Sequence, residues 1–80
     1  MEIKVTMKTL RQRARVTQDA LARAIGKTTS TVSKWDQGLS FPQLLPSELK
    51  ALMDNLDCSL DELIEAEKEW MKDKEAKVDE

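Results

Sequence analysis

Histidine and tyrosine are absent from the 80 residues, cysteine and phenylalanine occur once each, and glycine and proline twice each. Each shortage excludes something. A single cysteine closes no internal disulfide, so stability does not come from an oxidising compartment and a reduced cytosol is the default expectation. One thiol with no imidazole also falls short of the four ligands of a structural zinc site, and neither metal nor cofactor is expected. With no histidine, and no serine or cysteine beside a candidate base, the usual apparatus of nucleophilic or acid–base catalysis is missing, so an enzyme is not expected. No apolar run is long enough to span a bilayer, and Met1 to Leu10 lacks the continuous apolar stretch of a signal peptide. The expectation is a cytoplasmic protein without a membrane partner.

What is present is a chain 40% apolar, enough for one small core. A chain of this length forms one domain. Such domains bury only about 60% of their unfolded surface and gain from a partner chain. The net charge of −2 hides an asymmetry. From Met1 to Lys34 there are eight Lys or Arg against Glu2 and Asp19, a balance of +6; from Trp35 to Glu80 there are five lysines against thirteen acids, a balance of −8. Attraction to phosphates depends on the local field, which decays within about 10 Å at ordinary salt, so the basic half is the half to examine for nucleic-acid binding. Two ordinary solvated sets of helix faces are the plain alternative.

Sparse glycine and proline, and little alternation of apolar with polar residues, predict an all-α chain of five helices. Residues 1–6 read as a short arm. Helix one follows Thr6 and runs to about Arg15, with Met7, Leu10 and Ala14 at helical spacing. Thr17 caps helix two, which turns Leu21, Ala22 and Ile25 to one face and ends at Gly26. Thr28 caps helix three, which turns Val32 and Trp35 inward and ends at Gly38. Helix four starts near Pro46 with Leu49, Leu52, Met53 and Leu56 at helical spacing. Ser59-x-x-Glu62 is a capping box that opens helix five, followed by Leu60, Leu63 and Ile64.

Two capped helices joined by a glycine-containing turn, Thr17 to Gly38, have the layout of a helix-turn-helix. A helical hairpin within any small bundle is the competing reading. Helix three leaves Thr29, Ser30, Ser33, Lys34 and Gln37 facing outward, and short hydroxyls with a flexible ammonium suit base edges and phosphates. Leu10-Arg11, Thr17-Gln18-Asp19-Ala20-Leu21-Ala22, Gly26, Thr31-Val32-Ser33-Lys34-Trp35-Asp36, Gly38 and Pro42 together resemble the lambda-repressor and Cro type of helix-turn-helix regulator over about Met7 to Ile64. The resemblance implies a five-helix lambda-repressor-like DNA-binding domain over 7–64, with helix three in the major groove of double-stranded DNA. It implies base contacts from Thr29, Ser30 and Lys34 with Ser33 close by, a backbone contact from Gln18, and Lys27 among the DNA-binding residues. It also implies a mostly buried ion pair between Arg11 and Asp36, a core role for Trp35, and a buried apolar position for Cys58. Three features depart from the family pattern. Leu39-Ser40-Phe41 carries no basic residue, the connection after Pro42 is about two residues longer, and Arg15 stands at a turn where a more flexible residue is often found.

Residues 65–80 form a charged helical extension beyond the resemblance. Trp70 and Met71 repeat Leu63 and Ile64 after seven residues, so helix five is expected to run on. Leu63, Trp70 and Met71 are candidates for a homodimer interface, with a frayed tail, another protein partner, or an acidic segment folded back over the basic half as alternatives. The functional expectation is a repressor of transcription acting as a homodimer, of phage or other prokaryotic type. An antitoxin whose tail wraps a toxin, and a protein-interaction module that does not bind DNA, are the competing readings.

Overall fold

The computed structural model describes the backbone of residues 4–77 and the side chains of residues 4–72. Five helices follow one another, α1 Met7–Ala14, α2 Gln18–Ile25, α3 Thr29–Gln37, α4 Pro46–Leu56 and α5 Leu60–Lys77, with no strand among the described residues. Of the arm at 1–6 and the extension at 65–80, residues 1–3 and 78–80 lie outside the described residues.

Side-chain oxygens start the helices by taking amides that the first turn leaves without partners. Thr6 accepts from the Thr9 amide at 3.1 Å while Thr9 Oγ1 accepts from the Thr6 amide at 2.8 Å. Thr17 accepts from Ala20 at 3.0 Å, Thr28 from Thr31 at 3.2 Å, and Ser59 and Glu62 exchange bonds of 3.1 Å across the last cap. Left-handed residues end the first four helices: Arg15 (φ 60°), Gly26 (φ 73°), Gly38 (φ 78°) and Asp57 (φ 50°). Helix one therefore stops at Ala14, one residue short of the expected Arg15, because Arg15 has left the helical region to turn the chain toward α2.

The core is built around α2, which packs on both α3 and α4, while α1 packs on the same two helices. Leu21 and Ala22 of α2, Val32 and Trp35 of α3, Leu52 and Leu56 of α4, and Met7 and Leu10 of α1 are all buried in one cluster. Truncating a fully buried leucine such as Leu21 costs about 2–5 kcal/mol. Cys58 is only half-buried against this cluster, and burial pushes its thiol pKa up.

Helix α5 corrects the expected apolar stripe. Leu63 is 5% and Ala66 2% exposed, both inside the core, so α5 carries the core past residue 64. Leu60, Ile64 and Met71 face outward at 50%, 39% and 45% exposure. At about 100° per residue, Leu63, Ala66 and Trp70 share one side of the helix and Leu60, Ile64 and Met71 the next. Leu63 is thus withdrawn from the expected dimer interface, and Trp70 is half-buried against its own chain.

Candidate nucleic-acid interface

The exposed side of α3 begins at Thr29 and Ser30 and continues one turn on at Lys34, all three in contact with solvent. Their outward position follows from burial of Val32 and Trp35, since residues three apart share a helix side and leave the opposite side free. No hydrogen bond or ion pair engages the side chains of Ser30 or Lys34 among the described residues. Thr29 is held differently. Its hydroxyl donates to Asp19 Oδ1 at 3.1 Å across the turn, leaving its oxygen as an acceptor. An acceptor there suits an exocyclic amino group of adenine or cytosine. Ser33 is half-buried and accepts from Gln37 Nε2 at 2.8 Å, so it lies further from the open surface than Thr29 or Ser30.

Beneath this surface lies a polar joint. Arg11 donates from Nε and Nη2 to Asp36 Oδ2 at 2.9 and 2.7 Å, and its Nη1 donates to the Val16 carbonyl at 2.8 Å. The side chains are 15% and 6% exposed, so the charges are largely withdrawn from water. Gln18 Nε2 donates to the same carboxylate oxygen at 2.9 Å. Three elements meet at one atom: α1 through Arg11, α2 through Gln18 and α3 through Asp36. A buried charge needs its partners close and hydrogen-bonded, and here they fix the end of the exposed helix against the two before it.

The remaining site residues divide. Lys27, in the turn between α2 and α3, has its ammonium 3.4 Å from Glu48 of α4. Glu48 also accepts from the Leu45 amide at 3.1 Å, and that bond, followed by Lys27, holds its carboxyl below the usual range. Lys27 thus joins α4 to the turn. Sequence reasoning passed over Asp19, which both takes the Thr29 hydroxyl and pairs with Arg23 at 3.1 Å. The Arg23 pair was legible as an i, i+4 spacing. The Thr29 bond was not, because it depends on the crossing of α2 and α3.

A family of domains described as Cro/C1-type HTH DNA-binding domains matches residues 6–69. The chain belongs to the Cro/C1-type helix-turn-helix family. No curated protein and no solved structure matches it. In this Cro/C1-type domain α2 and α3 are the helix-turn-helix, and DNA is the partner. The match ends at Glu69, one residue before Trp70. Among the described residues, no helix is long and apolar enough to cross a membrane.

Proposed function

We propose that this chain is a sequence-specific transcription regulator, a repressor that occupies operator DNA as a homodimer. The observation that carries the reading is the open Thr29, Ser30 and Lys34 surface on a helix anchored by Arg11, Gln18 and Asp36, in a chain of a DNA-binding family. Thr29, Ser30 and Lys34 read base edges in the major groove; Ser33 approaches the flank. Gln18 braces the recognition helix through Asp36 and lies beside the α2 N-terminus, where free amides favour a phosphate. Lys27 adds positive charge near the backbone while tied to Glu48.

One recognition helix covers few base pairs, and two half-sites about 34 Å apart are the usual remedy. The exposed apolar side of α5, Leu60, Ile64 and Met71, supports a second copy as its cover. Selection of bound sequences from random duplex DNA tests the whole reading. The enriched duplex carries a palindrome, and Ser30→Ala and Lys34→Ala lose about 1–3 kcal/mol on it and less on a scrambled duplex. Equal losses on both duplexes refute base reading by these residues. A toxin or other protein that copurifies through α5, with no duplex enriched, favours the antitoxin or interaction-module alternatives.

A further inference from the structure

We propose that Trp70 is a positioning residue for DNA recognition, holding the exit of α3 from outside the part of the chain that matches the family; the inference rests on the DNA-binding reading above.

The peptide unit between Gly38 and Leu39 is gripped from both sides. Its N–H, on Leu39, donates to the Lys34 carbonyl at 2.9 Å and closes the last turn of α3. Its carbonyl, on Gly38, accepts from Trp70 Nε1 at 3.1 Å. One planar group therefore links the backbone of Lys34, whose side chain faces the DNA surface, to the indole on α5. Two residues further on, the Phe41 ring lies 5.6 Å from the Trp70 ring at 34°, so the indole also fixes the segment leaving α3. A surface cavity of about 180 Å³ lies among Trp35, Asp36, Phe41, Ala66 and Trp70. A side chain without a ring at position 70 enlarges that space and releases the loop.

The Leu39-Ser40-Phe41 segment carries no basic residue, so no charge on it grips phosphate in its own right. Its contribution to recognition is to stop α3 where Lys34 is aligned, and α5 supplies the restraint. Replacing a purely stabilising tryptophan would lower binding to every duplex together, through the folded fraction alone. Replacing a positioning tryptophan lowers the preference for the selected duplex among molecules that are fully folded.

The test uses the full chain and the duplex that the wild type enriches from a random library, with a scrambled duplex as reference. Trp70→Phe keeps a ring against Phe41 and removes the N–H donor. Its preference for the selected over the scrambled duplex falls about threefold to tenfold, the worth of one hydrogen bond, at a temperature where circular dichroism shows both proteins folded. Amide exchange at Leu39 accelerates by a similar factor without DNA, while exchange at Leu21 in the core does not change. Trp70→Ala extends both effects. A Trp70→Phe protein with unchanged duplex preference overturns this inference alone, and so does unchanged exchange at Leu39. Failure of the wild type to enrich any duplex overturns the DNA-binding reading and this inference with it.

Discussion

Gln18 and Asp36, eighteen positions apart, share a 2.9 Å hydrogen bond to the carboxylate oxygen that also takes two donors from Arg11. The residue best placed to approach phosphate at the start of α2 is thus also a brace for the end of α3. In the proposed function, contact with DNA and alignment of the recognition helix pass through the same side chain.

Removing the acceptor exposes what the joint contributes. Asp36→Ala strands the Arg11 charge and the Gln18 amide, at a cost of about 3–5 kcal/mol in unfolding free energy. Gln18→Ala removes one donor and costs about 1 kcal/mol. Urea unfolding followed by helical ellipticity measures both. A loss below that of Gln18→Ala for the Asp36 variant contradicts the geometry.

Arg15 sits at φ 60° with its side chain exposed. A left-handed conformation costs an L-residue about 1–2 kcal/mol, whereas glycine adopts it freely and loses about 0.5–1 kcal/mol in unfolded-chain entropy. Arg15→Gly therefore stabilises the domain by about 0.5–1 kcal/mol, raising Tm by a few degrees. Arg15→Ala removes the same charge without relieving the backbone and shows no such gain. Thermal melts of the two variants separate backbone strain from charge.

Glu62 binds Arg13 through both carboxylate oxygens at 2.7 and 3.0 Å and caps α5 by accepting from the Ser59 amide at 3.1 Å. The Arg13 bond first, then the Ser59 amide, lower its pKa from 4.5 to about 2. Because the folded value lies below the unfolded one, this contribution to stability is complete above about pH 4.5 and disappears as pH falls toward 2. Glu62→Gln lacks that part of the acid dependence. Chemical unfolding between pH 6 and 2.5 checks it: the gap between wild type and variant narrows as the solution is acidified. The carboxylate is partly open to water, so added salt also narrows the gap.

Under the proposed homodimer, the two sides of α5 separate folding from association. Leu63→Ala lies in the core and costs about 2–5 kcal/mol of stability. Ile64→Glu and Met71→Glu lie on the exposed side; they leave helix content and melting nearly unchanged while shifting sedimentation from dimer toward monomer. A wild type that remains monomeric at high micromolar concentration removes the homodimer from the proposed function and leaves the helix-turn-helix surface intact.

Much of the fold was legible because its signals are local. Thr17, Thr28 and Ser59 cap within three residues of themselves, and Gly26 and Gly38 end helices by their own backbone freedom, so a linear reading finds them. Val32 and Trp35 were placed inward by spacing alone, and both are buried. Along α5 the same reasoning found that the helix runs on but not which side it buries. A seven-residue repeat pairs Leu63 with Trp70 and Ile64 with Met71, yet only packing decides which of two neighbouring apolar stripes faces the core.

By itself, the sequence determined five helices, their starts, the stops at Gly26 and Gly38, the helix-turn-helix between Thr17 and Gly38, and the family to which that pattern belongs. These follow from hydrogen bonds that close within a turn and from apolar periodicity, both encoded over a few residues. Tertiary structure alone decided that Gln18 joins the expected Arg11 pair at one oxygen of Asp36, that Asp19 takes the Thr29 hydroxyl, and that Trp70 reaches the Gly38 carbonyl. Each of those bonds joins side chains on different helices or ties one helix to the end of another. Its partner is set by crossing angles and helix rotations, which arise from the packing of the whole core and are written in no local stretch of the chain.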